Sequence, residues 1–227
     1  MFYDFIRRRM MGGQGGTPVP TITPIFYATF DSDFSDSTGN PLSVTGNSYA
    51  YIDAFQAKVG SGCLLVDNGG SHGTGGVSYS YGKYMNFSQK SFTVEAWVKV
   101  LSVSDNLYHG ICGVRSTARA GGSWSCGIHN GKLNISFSTT GSAFSKNIES
   151  TQTVQANTWA LVKFQRDYEN GKVYGYINGT KVIDETMTGA IYAGTGNGFA
   201  VGNYHTDQSN DGFYGYIDDL KVYDQIV

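Results

Sequence analysis

Chemistry in this chain has to come from few titratable groups. Only 15% of its 227 residues are charged, and it has four His. Breaking a glycosidic bond takes two carboxyl groups at a fixed separation, one acting as acid and the other as base or nucleophile. The four glutamates are Glu95, Glu149, Glu169 and Glu185. Glu95 lies in Thr93-Val-Glu-Ala-Trp97, so the alternate positions beside it hold Thr93 and Trp97, and neither can act as a second carboxylate. Ser–His–Asp chemistry lacks a Gly-x-Ser-x-Gly elbow at a strand-to-helix junction. His72, His109, His129 and His205 fall near loops, without metal-ligand spacing, as solvated loop histidines do. The residues point away from an enzyme.

Binding chemistry is better supplied. Asp31-Ser-Asp33 and Asp36 share a Ser-rich loop and offer the hard oxygens that calcium takes. The loop lacks the Gly and Glu positions of an EF-hand. Cys63, Cys112 and Cys126 have no C-x-x-C spacing, which argues against zinc. Cys112 and Cys126 flank the turn-rich 116–123 stretch and are placed to face each other across a hairpin. A disulfide between them and three small buried hydrophobes are both open readings. Sugar recognition stacks ring faces on aromatics and hydrogen-bonds hydroxyls with Asn, Asp and backbone amides. Tyr79 and Tyr81, Tyr108, Trp124 and the segment Tyr204-His205-Thr-Asp207-Gln-Ser-Asn210-Asp211 supply those types. The alternative is that tyrosines simply cover sheet surface, since 16 occur throughout the chain.

The elements that must position these groups are strands. With 31 Gly, 4 Pro and 14% aromatic residues, the composition is that of an all-β domain rich in turns. Phe92–Val100 alternates, with Phe92, Val94, Ala96 and Val98 on one face and Thr93, Glu95, Trp97 and Lys99 on the other. Asn130-Gly131 is a hairpin turn joining strands at 125–128 and 133–137, and Asn178-Gly179 joins 172–177 to 180–183. Further strands are expected at 159–166, 199–202 and 214–223. No amphipathic helix and no internal repeat is apparent. The fold class is all-β, a two-sheet antiparallel jelly-roll sandwich.

Residues 1–24 differ from the rest. Three arginines against Asp4 give them a net +2, and Gly12–Gly16 followed by Pro18, Pro20 and Pro24 makes a tether. Phe2, Tyr3, Phe5, Arg7, Arg8 and Arg9 are expected to dock on a protein partner. The arginines are followed by Met-Met and glycines, so no apolar signal segment is expected. No apolar run approaches the roughly 20 residues of a membrane span. A net charge of −2 gives no electrostatic footprint for nucleic acid. The domain proper is expected over 25–227.

Specific segments carry a family likeness. Phe30–Asn40, Ser91-Phe-Thr-Val-Glu-Ala-Trp-Val98, Asn157-Thr-Trp-Ala-Leu-Val162, Gly175-Tyr-Ile-Asn-Gly179 and Gly215-Tyr-Ile-Asp-Asp-Leu-Lys-Val-Tyr223 resemble the laminin-G-like domains of the concanavalin A-like lectin/glucanase superfamily. The likeness spans about 26–224. It implies the jelly roll, and glycan or cell-surface polysaccharide as a partner. It also implies a structural calcium between the N-terminal loop and the last strand, held by Asp31, Asp33 and Asp219. Strand alternation turns one of Asp218 and Asp219 inward, where it must be paired. The alternative is that Asp219 accepts backbone amides and Asp31–Asp36 form Asx-turns. The Glu-x-Asp-x-Glu run of the glucanase branch is missing. Two readings follow: a non-catalytic glycan-binding or adhesion domain displayed by its arm, on a virion surface or extracellularly, or a structural decoration protein that binds no sugar.

Overall fold

The computed structural model describes residues 21–227, apart from 40–43, 47, 68–74, 81–84, 105, 115–121, 195–197 and 205–210. Two antiparallel sheets face each other, and among the described residues there is no helix. The first sheet has eight strands. Seven run in the order β13 (Thr180–Thr186), β12 (Lys172–Ile177), β11 (Ala160–Asp167), β6 (Phe92–Val100), β15 (Gly215–Tyr223), β4 (Cys63–Val66), β3 (Ala50–Asp53), and β1 (Phe26–Ala28) also pairs with β15. The second runs β10 (Lys146–Thr153), β9 (Lys132–Phe137), β8 (Trp124–His129), β7 (Tyr108–Val114), β14 (Phe199–Val201), β5 (Val77–Tyr79), β2 (Val44–Gly46). This is the jelly-roll sandwich that the strand pattern predicts.

Local sequence sets the register. Asn130 and Gly131 both take positive φ (51° and 75°), as do Asn178 and Gly179 (49° and 81°). Two-residue turns of that hand match the twist of the strands they join, so β8–β9 and β12–β13 close as tight hairpins. Phe92, Val94, Ala96 and Val98 point into the core as their alternation requires. The core is aromatic. Phe87 stacks on Phe92 at 4.6 Å, Phe92 lies 4.9 Å from Trp124, and Phe26 packs edge-on against both Tyr79 and Phe199 at 5.0 Å. Such pairs add about 0.5–1.5 kcal/mol each beyond their buried area.

One charge is buried among these rings. Arg166 is fully buried on β11 and donates from its terminal nitrogens to the carbonyls of Phe87, Ser88, Lys90 and Gly189 at 2.6–3.2 Å. Burial lowers its pKa to about 10. The guanidinium ties the 87–90 turn and Gly189 to the sheet, replacing lost water with carbonyl oxygens.

All three cysteines are free, buried thiols. Cys112 lies directly opposite Cys126 across β7–β8, the juxtaposition the sequence suggests. Burial, with a hydrogen bond to Cys112, pushes the Cys126 thiol well above its ordinary pKa, so it stays protonated.

Candidate functional site

Much of the outer face of the second sheet is built from small residues. Strand register aligns Gly110 (β7), Gly127 (β8), Asn134 (β9) and Glu149 (β10) in one cross-strand row, and Gly113, Ser125, Ser136 and Asn147 in the next. Leu133, Ile135 and Phe137 point the other way, into the core, so alternation along β9 leaves Asn134 and Ser136 on this outer face.

Glycine is required where a second layer of chain lies down on the sheet. Residues 202–204 and 211–214 are pinned across β7: Gly202 N donates to Ile111 O at 2.8 Å, Gly110 N to Asp211 O at 2.9 Å, and Phe213 N to Gly202 O at 2.8 Å. Buried Asn203 adds a bond to the Gly75 carbonyl at 2.8 Å. A Cβ on Gly110 would stand 2.6 Å from Tyr204 N, and one on Gly127 would stand 2.1 Å from the Tyr204 hydroxyl and 2.4 Å from the His109 carbonyl. Tyr204 therefore lies flat against Gly127.

A groove of about 340 Å³ opens beside it, lined by Tyr108, Ser136, Ala143, Phe144, Asn147, Tyr204 and Asp211. Its rim is ordered by stacking and charge. The Tyr108 ring lies parallel to His129 at 4.1 Å, His129 Nδ1 meets Glu149 at 2.6 Å, and Lys132 stands 3.6 Å from the same carboxylate. Tyr204 Oη at the groove, and Ser125 Oγ and Asn134 Nδ2 on the same sheet face beside Ser136, are buried and have no hydrogen-bond partner among the described residues. Burial first, and then the charge of Asp211, raise the pKa of Tyr204 well above 10, so its hydroxyl remains a neutral donor. Buried polar atoms are nearly always paired, and unpaired ones cost free energy. Three such atoms share this one sheet face.

The structure sorts the sequence candidates. Tyr108 and Tyr204 come together in the groove, and Asp211, the far end of the Tyr204 segment, lines it with them. Trp124 and Tyr79 are corrected from ring faces open to a ligand to core residues. Trp124 sits on the inward face of β8 and donates from its indole nitrogen to the Met85 carbonyl at 3.1 Å, and the Tyr79 hydroxyl donates to the Phe34 carbonyl at 2.8 Å. Their ring faces are consumed by Phe92, Phe26 and Phe199. Tyr81, His205, Asp207 and Asn210 lie outside the described residues, as do Phe2, Tyr3, Phe5, Arg7, Arg8 and Arg9 of the arm. Sequence reasoning missed Ser125, Asn134, Ser136 and Asn147. Their signal is the small and polar set at outward positions of β8, β9 and β10.

The expected calcium ligands do not converge. Asp31 accepts the Ser61 amide, which holds its pKa below the usual carboxylate range. Asp33 accepts from Ser35 N at 2.7 Å in an Asx-turn. Asp219 accepts the Tyr27 hydroxyl at 2.6 Å and pairs with Lys221 at 2.7 Å, so an ammonium already sits where a cation would. The inward residue of the pair is Asp218, which takes the amides of Lys58 and Val59 at 2.8 Å each. A bulge between Asp218 and Lys221, with Asp219 at φ 51°, buries Ile217 and Asp218 in succession, which simple alternation does not anticipate. Among the described residues no group of three or more His, Cys, Asp or Glu is placed to hold a metal. These carboxylates do not fit a calcium ion.

A two-sheet antiparallel sandwich with a polar groove on one outer face belongs to the jelly-roll class. More particularly, the chain belongs to the Concanavalin A-like lectin/glucanases superfamily, whose laminin-G-type profile matches residues 71–227. The structure is similar to domain 4 of AbnA, a GH43 extracellular arabinanase from Geobacillus stearothermophilus, solved in complex with arabinotriose. That match has a TM-score of 0.62 and 22% identity, covering 90% of this chain and 93% of that one. It is similar also to the binding domain of Paraclostridial Mosquitocidal Protein 1 (TM-score 0.65, 15% identity, 90% and 49% covered). The botulinum neurotoxin serotype G binding domain gives a TM-score of 0.64 at 14% identity, with 90% and 48% covered. The chain thus spans about half the length of the two toxin domains. At these identities the likeness establishes the fold. No curated protein matches the sequence.

Proposed function

We propose that this chain is a non-catalytic carbohydrate-binding domain whose site is the groove over β7–β10. The observation that carries the reading is a groove walled by Tyr108 and Tyr204, with Ser136 and Asn147 in its lining, on a sheet face where Ser125, Asn134 and Tyr204 hold buried, uncharged polar atoms unpartnered among the described residues. Hydroxyl-rich ligands satisfy such atoms, and the Tyr108 ring provides a stacking surface. Two similar folds support it: a domain solved with arabinotriose and a toxin's binding domain. Catalysis is disfavoured because Glu149 at the groove is already engaged by His129 and Lys132. Asp167 and Glu169, alternate in sequence, stand at the β11–β12 turn, where Asp167 caps Asn170.

The groove lies on the outer face of the second sheet, while β1, where the arm joins the domain, lies in the first. An arm anchored to an assembly through Phe2–Arg9 leaves the groove on the far layer. That arrangement suits display on a virion surface or another extracellular scaffold, with a protein partner gripping the arm. The competing reading, a decoration protein binding no sugar, is favoured by the β3–β4 loop, where Phe55 is 95% exposed beside exposed Tyr51 and Val59.

A glycan array probed with the full chain decides between them. Specific binding that is lost in Tyr108→Ala, while the melting transition persists, supports the groove. A blank array with folded protein overturns it and moves the weight to the Phe55 loop.

A further inference from the structure

The binding reading leaves the cysteines unused. Cys63 lies on β4 of the first sheet, where Leu64 and Val66 point into the core and Cys63 therefore points away from it. Its Sγ donates to the Asp53 carbonyl at 3.6 Å. Cys112 and Cys126 lie on β7 and β8 of the second sheet, at directly opposed register positions. Alternation along β8 sets Cys126 inward with Trp124 and Ile128, and both cysteines are 0% exposed. Their side chains are hydrogen-bonded to each other. Directly opposed residues of an antiparallel pair hold their Cβ atoms about 4.5–5.5 Å apart, against about 3.5–4.5 Å in a disulfide, so the strands need to draw in by roughly 1 Å. The ladder has room to give at this point. It breaks register between Gly110 and Cys112, and Gly113 follows with no side chain to repack.

We propose that Cys112 and Cys126 close a cross-strand disulfide when the chain folds in an oxidising medium, and that a chain folded without oxidant keeps both as thiols thereafter. The bond goes beyond the saccharide reading and does not depend on it. The chemistry is thiol–disulfide exchange with a small disulfide such as oxidised glutathione. One cysteine loses its proton, and its thiolate attacks a glutathione sulfur and expels the other glutathione as a thiolate. The second cysteine, deprotonated in turn, attacks the Sγ of that mixed disulfide and expels the remaining glutathione. The two protons given up by the cysteines balance the two leaving thiolates, so two protein thiols are oxidised and one disulfide is reduced to two thiols. Folding is the decisive stage, because only then are both sulfurs open to solvent. In the finished fold both are closed off, and burial holds the Cys126 thiol well above its ordinary pKa, so the attacking thiolate is scarce. The same burial shields a closed bond from reductants. The redox state is thus fixed at folding and records the medium in which the chain matured.

The test refolds the full chain from denaturant in two buffers, one holding reduced and oxidised glutathione and the other excess dithiothreitol. Free thiols are then counted by alkylation under denaturing conditions and intact mass. We expect one free thiol, that of Cys63, after oxidative refolding, and all three after reductive refolding. The cross-link closes a loop of about 15 residues, so it should raise the melting temperature by several degrees. Reductively folded protein moved into the glutathione buffer should keep its three thiols for as long as it stays folded. Cys112→Ala and Cys126→Ala should each abolish the difference in melting temperature between the two preparations, whereas Cys63→Ala should still form the bond. Three thiols after oxidative refolding, or a bond that includes Cys63, would overturn the pairing. Rapid loss of thiols from the folded, reduced protein would overturn the control by folding and leave the pairing standing.

Discussion

The two outer faces of the sandwich are built from the same pleated backbone and differ in what they leave unsatisfied. On the first sheet, register aligns Tyr27, Lys221, Glu95, Lys163, Tyr176 and Lys181 in a row across six strands. Each charge in that row has a neighbour. Lys163 meets Glu95 at 3.0 Å, Lys221 meets Asp219 and lies 4.8 Å above the Tyr27 ring, and Lys181 pairs with Asp184. Nearby, Lys58 covers Trp97 at 4.5 Å and Lys99 covers Tyr216 at 5.2 Å. Long side chains shield the sheet and neutralise one another. The corresponding row on the second sheet is Gly110, Gly127, Asn134 and Glu149, short over its first three members, with the Asn134 amide nitrogen unpartnered among the described residues. A face that satisfies itself has little to offer a ligand.

The contrast can be broken or sharpened by experiment, and the largest expected effect is alkaline. Tyr79 and Tyr204 are buried with pKa values raised by desolvation. Their folded pKa values lie above the unfolded value of about 10, so their contribution is intact below that pH and is lost as pH climbs further, by roughly 1.4 kcal/mol per unit for each group. Urea melts from pH 8 to 11 should show stability falling only past about pH 10, and Tyr204→Phe should soften the fall. A flat profile would mean these hydroxyls are open to water.

Next in size, Gly127→Ala drives a methyl into the Tyr204 hydroxyl and the His109 carbonyl. Overpacking of this kind costs about 1–3 kcal/mol, read by chemical denaturation, and it should displace the ring that walls the groove. Tyr204→Phe separates fold from ligand. Its hydroxyl has no partner among the described residues, so the melting temperature should not fall, while saccharide affinity falls roughly fivefold or more. Equal affinity would take Tyr204 out of the site.

Lys163→Ala on the charged face should cost about 0.2–1 kcal/mol and leave binding untouched, because half-exposed pairs contribute little. The smallest effect is for calcium. Since Asp31, Asp33 and Asp219 are engaged by protein groups, neither calcium nor EDTA should shift the melting transition. A clear rise with calcium would restore the metal.

Much of the fold could be read from sequence, for local reasons. β6 and β12 fall where the alternation placed them, and the Asn-Gly turns close the hairpins they foretold. β10 was not anticipated, because an edge strand reading Lys-Asn-Ile-Glu-Ser-Thr-Gln-Thr buries few of its side chains and carries little apolar signal. Tyr108 and Tyr204 were legible as candidates by type. Ser125 and Asn134 were not, since a small polar residue gains meaning only once pairing shows which outward positions adjoin. Trp124 misled for the opposite reason. A Trp after Gly121-Gly-Ser looks like a loop aromatic, and only its pairing with Val114 and Phe137 reveals the inward face.

The pairing of β1 with β15 has a consequence for how such a unit is carried. Phe26 lies opposite Val222, and Ile25 N donates to Val222 O at 2.8 Å, so the first and last strands of the sandwich run side by side within one layer. A body with adjoining ends can be spliced into a surface turn of a host, hung from either terminus or strung in tandem with little rearrangement of its interior. The opposite layer keeps its orientation in every case. Portability of this kind makes the groove's aim a property of the fold itself, independent of whichever neighbour holds the other side.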